Sequence, residues 1–449
     1  MIFKGMNKLI MKNLILTFIL MQLSNCIIGQ INNDYSKLYL EDLYKLSKPI
    51  KSFYPSETNF DDLEAIGQSL GDKNIVLLGE PSHGDGGAIL MKTRIVKYLH
   101  EKKGFNVLLF EADLFSILFG VAKKKDTSLI NTLTKENIYS CWSESKVSED
   151  LWKYYKEKLV SPNKIEIGGI DCRHAGNHAK NNLIKDLTTF LTQSNYNISS
   201  ESYSLFKENI SYILLNEFNS NSDSVDAENF TTEINKIEEA IKFNISDYEK
   251  RNLWLIEINN LKGWFNYVML GYNRDAIMAQ NFSYLLKYIY PNKKIIIWSH
   301  NNHNVLDVNT YASFSTEFAE KWHKNNTYQY FTYLGSNIIR EFSNQVYSLA
   351  ITSGNGNFSP KFFTNDNFHA DYTKTAKVPR SNEQSLEHFL ESKKTELLFI
   401  PLPNAQGRPS GYPWFSARLF DLQFEAKMDY TSAFNGIIYI NNTVNLNGQ

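Results

Sequence analysis

The length, composition and charge of the chain narrow the classes of protein to which it can belong. Its 449 residues, with 43% hydrophobic and 21% charged content, are ordinary for a globular protein and provide enough core for one large sheet or for two or three domains. The formal net charge of −1 gives no reason to expect nucleic acid or an anionic membrane as a partner.

The N-terminus has the pattern of an export signal. Lysines precede an apolar run from Leu14 to Leu23, which is too short to span a membrane. We therefore predict a signal peptide over residues 1–29 and a periplasmic or secreted protein with no transmembrane span after its removal. Lipid anchoring at Cys26 is an alternative, because Leu23–Cys26 resembles a lipoprotein cleavage box.

The first predicted strand leads directly into a polar loop. Ile75–Leu78 is a short apolar run followed by glycine, which is typical of a fully buried strand. The loop after it carries Glu80, His83 and Asp85, and a helical pattern of apolar residues begins at Ala88. An acid and an imidazole therefore stand where open α/β sheets place their ligand sites, outside the carboxyl ends of the strands.

Three more predicted strands also end in titratable residues. The strands are Phe105–Glu111, Lys164–Asp171 and Lys294–His300. In a parallel sheet their carboxyl ends lie along one edge, so Glu111, Asp171 and His300 are expected near Glu80. Titratable groups gathered in this way are costly unless they bind or react with something.

The rest of the chain completes an α/β fold. Residues 181–290 have the spacing of long amphipathic helices without a strand pattern, and residues 353–390 are predicted to be loop. Later candidate strands are Tyr328–Leu334, Val346–Thr352, Leu397–Ile400 and Gly436–Ile440. We predict a mainly parallel central sheet flanked by helices. Its α/β core would comprise residues 30–180 and 291–449, with a helical insertion over residues 181–290.

Two histidine motifs and one arginine are the candidates for chemistry. Glu80 and His83 could be an orienting acid and a general base, or a capping carboxylate and a turn histidine. His300 and His303, three residues apart after a strand, suggest a polar site or a metal site. Arg94 could pair with Glu80 or Glu111, hold an oxyanion, or be a solvated surface arginine.

Common catalytic motifs are absent from the sequence. It has no phosphate-binding Gly-Lys-Ser/Thr loop, no Gly-x-Ser-x-Gly elbow and no His-Glu-x-x-His. A serine hydrolase that uses Ser82 is conceivable, although Pro81 and His83 would make an unusual elbow.

Taken together, the motifs resemble those of the erythromycin esterase family. The blocks that carry the resemblance are Gly79–Gly84, Lys92–Arg94, Phe110–Asp113, Arg274–Asn281, Trp298–His303, Trp414–Arg418 and Phe434–Tyr439. They occur in the order of the family over residues 60–445. The segment Asp85–Gly87 departs from the family, in which a bulkier stretch is common.

The resemblance implies an α/β core, a helical lobe over a deep cleft, and hydrolysis of an ester. In the named members the ester is the lactone of a macrolide antibiotic, so antibiotic resistance is one implied role. The histidine that matches His83 is the family's proposed general base for activating water. By the same resemblance Glu80, Glu111, His300, His303 and Arg94 complete the catalytic site.

From these observations we predict an exported hydrolase for a small-molecule ester or lactone that needs no cofactor. Asp85, Asp171 and Arg274 are the candidate substrate-binding residues. One alternative is a hydrolase that depends on a divalent metal such as Zn²⁺ or Mn²⁺. Its candidate ligands are His83, Glu111, His300 and His303, with Glu80 as a further acceptable one. A non-catalytic exported binding protein is the other alternative.

Overall fold

The computed structural model describes residues 36–122, 126–216, 225–307, 332–360, 374–403 and 415–449. The predicted signal peptide over residues 1–29 and the alternative anchor Cys26 lie outside the described residues, as does most of the strand predicted over Tyr328–Leu334. Among the described residues, none of the helices combines the length and the apolar composition that a membrane crossing requires.

Nine of the described strands form one sheet. The strands of the chain are β1 (Lys48–Pro49), β2 (Ile75–Leu78), β3 (Val107–Asp113), β4 (Glu166–Asp171), β5 (Ile295–Trp298), β6 (Val346–Phe358), β7 (Ala376–Lys377), β8 (Leu397–Pro401), β9 (Phe415–Ala417), β10 (Ala426–Met428) and β11 (Gly436–Thr443). The order is β1-β8-β11-β6-β2-β5-β3-β4, with β7 beside β6, while β9 and β10 pair separately. The run from β11 to β4 is parallel throughout, and β8, β1 and β7 are antiparallel to their neighbours.

Helices cover this sheet. They are α1 (residues 36–46), α2 (Glu64–Leu70), α3 (Gly86–Lys103), α4 (Ile130–Asn137), α5 (Ser140–Ser143), α6 (Glu149–Leu159), α7 (Asn177–Thr192), α8 (Glu201–Asn216), α9 (Ala227–Asn244), α10 (Tyr248–Leu270), α11 (Arg274–Tyr288), α12 (Leu334–Phe342), α13 (Leu386–Ser392) and α14 (Tyr430–Ala433). The predicted fold class, a mainly parallel central sheet flanked by helices, is confirmed. The division into a core and a helical lobe stays a prediction, although α7–α11 do fill the chain between β4 and β5.

Both faces of the sheet are buried, which explains the unbroken apolar runs of its strands. In β2, Ile75 and Leu77 belong to a core shared with α7–α11, whereas Val76 and Leu78 pack on the other face with α2, α3 and α6. The register pairs Leu78 with Trp298 and Trp298 with Phe110. The residues that follow these positions therefore meet at one edge of the sheet.

Two sequence expectations are corrected by the fold. Part of the loop predicted over residues 353–390 is ordered, because β6 continues to Phe358 and α13 begins at Leu386. The backbone of this extension pairs with β11 and β7, and these hydrogen bonds outweigh the polar, Asn-rich composition. Leu334, predicted to end a strand, instead begins α12.

Candidate active site

The loop after β2 brings Glu80 and His83 into contact. The Nδ1 atom of His83 lies 3.0 Å from Glu80 Oε1. Glu80 is fully buried, whereas the His83 side chain is 19% exposed. Since the carboxylate accepts from Nδ1–H, the lone pair is on Nε2, to which no described residue is hydrogen-bonded. His83 therefore presents an acceptor nitrogen to solvent.

Lys92 and Trp142 fix the position of Glu80. The ammonium of Lys92, on α3, bonds Glu80 Oε2 and also donates to the carbonyl oxygen of Ser299 at 3.1 Å. Trp142 Nε1–H donates to Glu80 Oε1 at 3.1 Å. Burial lowers the pKa of Lys92 to about 8, although the negative charge of Glu80 opposes this shift. Both oxygens of Glu80 are occupied, so this carboxylate can orient His83 but is not itself a free base.

His303 lies between two carboxylates in a second cluster. Its Nε2 is 3.0 Å from Glu111 Oε1, and its Nδ1 is 2.8 Å from Asp275 Oδ1. Burial by itself would lower the pKa of His303, but Asp275 and Glu111 outweigh burial and raise it to about 10. His303 is therefore an imidazolium at neutral pH. It can stabilise negative charge but cannot accept a proton.

Arg274 joins the same cluster from the first turn of α11. Its Nε and Nη2 atoms donate to the two oxygens of Asp171 at 2.9 and 2.5 Å, and Nη2 also lies 3.1 Å from Glu111 Oε1. Burial opposes ionisation of Glu111, but the charges of His303 and Arg274 hold its pKa well below the usual value. The pKa of Asp171 is lowered by Arg274 in the same way, also against burial.

His300 connects the two clusters and is neutral. Its Nε2–H donates to the carbonyl oxygen of Pro81 at 3.0 Å, and its Nδ1 accepts from the backbone N–H of Asn302 at 3.1 Å. Burial, together with the nearby His83 ring, holds the pKa of His300 well below its usual value. The His83 and His300 ring centroids are 5.3 Å apart, and the His300 backbone N–H donates to Glu111 Oε2 at 3.0 Å.

Seven of the predicted site residues therefore meet at the carboxyl edge of the sheet. They are Glu80, His83, Glu111, Asp171, Arg274, His300 and His303.

Arg94 is placed elsewhere, which corrects its expected pairing with Glu80 or Glu111. The side chain is fully buried and donates to both oxygens of Asp62 at 2.8 and 2.7 Å. It also donates to the backbone carbonyls of Ser52, Glu57 and Asn59. Residues 92 and 94 are two positions apart on one helix and so point to different sides. Arg94 thus fastens the segment before α2 to α3.

Asp85 is likewise not open to a substrate, which corrects its expected role. It is fully buried and is the N-cap of α3, where it accepts from the backbone N–H of Ala88 at 3.0 Å. Ser353 Oγ donates to it at 2.6 Å, and the Thr443 hydroxyl is a further donor. All of its described partners are protein groups.

Sequence reasoning missed three residues of the site: Lys92, Trp142 and Asp275. Lys92 and Asp275 belong to the motif blocks Lys92–Arg94 and Arg274–Asn281. Their membership of these blocks could have identified them as site residues. Trp142 lies far from Glu80 in the sequence, and no local pattern points to it.

The donor set does not fit the metal alternative. Among the described residues, no group of three or more His, Cys, Asp and Glu side chains is arranged to hold a metal ion. Both ring nitrogens of His300 and of His303 are engaged by hydrogen bonds, so His83 Nε2 is the ring nitrogen left with a lone pair for a ligand bond.

Comparisons with known proteins agree with this architecture. The family model described as Erythromycin esterase matches residues 100–443, a range that contains Glu111, Arg274 and His303 but begins after Glu80 and His83. The chain is 25% identical to a Bacillus subtilis (strain 168) protein named putative hydrolase YbfO, over 86% of this chain and 87% of that one.

Two solved structures share the fold. A Bacillus cereus protein superposes with a TM-score of 0.70 at 16% identity, over 93% of this chain and 99% of that chain. The open conformation of a mutant of the erythromycin esterase EreC superposes with a TM-score of 0.62 at 15% identity, over 87% of this chain and 96% of that chain.

Proposed function

The chain belongs to the erythromycin esterase family, and from this membership we propose that it is a hydrolase that cleaves a carboxylic ester or lactone with a water activated by His83. The name of the Bacillus subtilis relative supports the broader class, hydrolase. The small-molecule substrate and the ester bond are part of our proposal and rest on the family.

One observation carries the assignment of the base: of the three histidines at the sheet edge, His83 has the acceptor nitrogen that no described residue occupies. His300 uses both of its ring nitrogens for hydrogen bonds to the backbone. His303 is held as an imidazolium by Glu111 and Asp275. His83 is therefore the histidine of this cleft that can take a proton from water.

The reaction follows from this arrangement. A water hydrogen-bonded to His83 Nε2 gives up a proton as its oxygen attacks the carbonyl carbon, and Glu80 stabilises the imidazolium that forms. The partly exposed cations Arg274 and His303 lie at the same edge of the sheet and would stabilise the negative charge that develops on the carbonyl oxygen. When the carbon–oxygen bond breaks, His83 returns the proton to the alkoxide. The products are a carboxylic acid and an alcohol, or a single hydroxy acid when the substrate is a lactone.

The test is hydrolysis of an ester and lactone panel, macrolides included, by the purified wild type and by His83→Ala. Removing the general base is expected to lower kcat roughly 10²- to 10⁴-fold. His388→Gln, a histidine on α13 outside the site, is the matched control and should retain activity. Unchanged hydrolysis by His83→Ala would contradict the mechanism. Tight binding of a panel compound that the wild type never turns over would favour the non-catalytic binding protein.

Export is a second part of the proposal. It is supported by the basic and apolar segments within residues 1–29. Mass spectrometry of the protein recovered outside the cytoplasm would test it, with a new N-terminus near residue 30 as the expected result. A lipid-modified Cys26 at the N-terminus would support the anchored form, and an intact Met1 would contradict cleavage.

A further inference from the structure

The loop that carries Glu80 and His83, residues 79–87, is held at both ends; we call it the catalytic loop. At its first end, Glu80 is bonded by Lys92 and Trp142, and the backbone N–H of Asn301 donates to the Glu80 carbonyl at 2.9 Å. None of these contacts holds the His83 end. The contacts that hold the His83 end come from the ends of β6 and β11, which lie on the side of β2 opposite β5.

Asp85 is the anchor at the His83 end. Its two oxygens accept from Ser353 on β6 and from Thr443 at the end of β11. The Thr443 hydroxyl also accepts from the backbone N–H of Gly87 at 3.0 Å. A single hydroxyl from the last residue of β11 is therefore bonded to the catalytic loop twice, once to a side chain and once to the backbone.

The backbone just after β6 and β11 packs directly on the same end of the loop. The N–H of Gly86 donates to the carbonyl oxygen of Val444 at 2.8 Å, and the carbonyl of Gly84 accepts from the N–H of Ser359 at 2.9 Å. A Cβ atom at Gly86 would lie 2.3 Å from the Asn445 carbonyl oxygen, and one at Gly84 would lie 1.6 Å from that of Ser359. The departure of Asp85–Gly87 from bulkier family sequences thus coincides with a close backbone contact.

A tight turn connects this anchor to His83. The N–H of Asp85 donates to the carbonyl oxygen of Ser82 at 3.0 Å, and the N–H of Gly84 donates to Ser82 Oγ at 3.3 Å. His83 is enclosed by this turn, so a shift of Asp85 moves the imidazole relative to Glu80, which Lys92 keeps in place. The 3.0 Å contact between His83 and Glu80 consequently depends on both ends of the loop.

We propose that Thr443, at the end of β11, is a positioning residue for His83 that acts through Asp85 and the backbone of Gly87. The inference rests on the proposed function, since it assigns Thr443 to the reaction for which His83 is the base. Thr443 does not touch the substrate in this proposal. Its contribution is to keep the acceptor nitrogen of His83 aimed at the attacking water.

The experiment compares Thr443→Val with Thr352→Val in the full chain. Thr352 is a matched control, because its buried hydroxyl also donates to a buried carboxylate, Glu387, but none of its described hydrogen bonds reaches the catalytic loop. Thr443→Ser keeps the hydroxyl and serves as the rescue variant. The readouts are kcat and KM on the best ester of the panel, and hydrogen exchange of the amides of residues 82–88.

We expect Thr443→Val to lower kcat roughly 10- to 100-fold with little change in KM, since small displacements of a catalytic group have effects of this size. Its loop amides should exchange faster than those of the wild type. Thr352→Val and Thr443→Ser should resemble the wild type in both readouts.

Equal effects of Thr443→Val and Thr352→Val on kcat and on loop exchange would overturn the inference, because they would show only a general loss of stability. Failure of the proposed function is a separate result: His83→Ala would then retain hydrolysis, while loop exchange would still report whether Thr443 holds the loop. Slow, wild-type exchange of the loop in Thr443→Val would overturn the inference whatever the activity of His83→Ala.

Discussion

At the scale of single residues, the three histidines of the site, His83, His300 and His303, differ in function because their hydrogen-bond partners differ. The Nδ1 atom of His83 is hydrogen-bonded to a carboxylate and its Nε2 atom is open to solvent, so Nε2 can accept a proton. His303 has a carboxylate on each nitrogen and is a cation. His300 has a backbone carbonyl on one nitrogen and a backbone N–H on the other, so it is neutral and fixed in one tautomer.

Replacing Lys92 by Met tests whether the position of Glu80 matters for catalysis. Lys92→Met leaves the Glu80 carboxylate buried without its cationic partner and should lower the free energy of unfolding by roughly 3–5 kcal/mol. The kcat of the folded fraction should also fall, because Glu80 is freed to move away from His83. Lys97→Met is the control on the same helix, since the Lys97 ammonium donates to the backbone carbonyl of Pro55 and lies over the ring of Tyr154, with no hydrogen bond to Glu80. Denaturant unfolding and kcat would be measured for both, and equal effects would contradict the role given to Lys92.

His303 predicts a pH dependence of stability with a definite sign. Its pKa in the folded protein, about 10, lies above its ordinary value of 6.5. The stabilisation it provides is therefore complete below about pH 6.5 and is lost as the pH rises through 10. The difference in unfolding free energy between the wild type and His303→Gln should be constant below pH 6.5 and should shrink towards pH 10. A difference that grows over this range would show that His303 is not held as a cation.

At the scale of secondary-structure elements, α11 delivers two neighbouring residues to different partners. Arg274 at its first turn bonds Asp171 and Glu111, while Asp275 bonds His303. Asn281 of the same helix donates to the backbone carbonyl of Ile170 in β4 at 2.9 Å. The helix is thus fastened to the strand whose end carries Asp171, so the ion pairs depend on the docking of α11 as a whole.

The buried Arg94 on α3 and the partly exposed Arg274 on α11 should behave differently when each is replaced by Met. Arg94→Met should lower the free energy of unfolding by up to about 3 kcal/mol, because Asp62, which is partly exposed, loses its cationic partner, with kcat of the folded enzyme unchanged. Arg274→Met should lower kcat as well, because the cation at the site edge is lost. Denaturant titrations and kcat would be measured side by side. If fully folded Arg94→Met had a lower kcat than the wild type, Arg94 would have a catalytic role after all.

At the scale of the whole molecule, the site exists because the parallel strands bring distant segments to one edge. Residues 80 and 300 follow β2 and β5, residue 171 ends β4, and residue 111 lies near the end of β3. These strands are neighbours in the sheet in the order β2-β5-β3-β4. The helices on both faces bury almost all residues of these four strands, so charged side chains are tolerated only near the strand ends or in ion pairs. The paired carboxylates and cations of the second cluster meet that requirement.

The whole enzyme should retain activity when divalent metals are removed, because the cleft histidines other than His83 have no lone pair left for a metal. Protein purified without added ions would be assayed before and after a chelator, together with metal analysis. The expected result is unchanged kcat in the chelator. Near-stoichiometric metal, with activity abolished by the chelator and restored by Zn²⁺ or Mn²⁺, would support the metal-dependent alternative instead.

The sequence by itself determined the apolar runs of β2 to β5 and the titratable residues that come after them, although β3 continues past its predicted end at Glu111 to Asp113. Buried parallel strands are unbroken apolar runs, so the positions at which they give way to Glu80, Glu111, Asp171 and His300 are visible without a structure. Parallel connectivity then requires those positions to converge. The motif blocks also indicated the family, and the match of the family model to residues 100–443 confirms it.

Only the tertiary structure decided which neighbouring side chain reaches the site. Helix α3 is buried on nearly all sides, so its apolar periodicity is too weak to show which face Lys92 and Arg94 occupy. Asp85 is a polar loop residue by sequence, and its burial depends on Ser353 and Thr443 from distant strands. Partner choice among such residues is set by how a helix or loop is rotated against the sheet, and that rotation is a property of the packed whole.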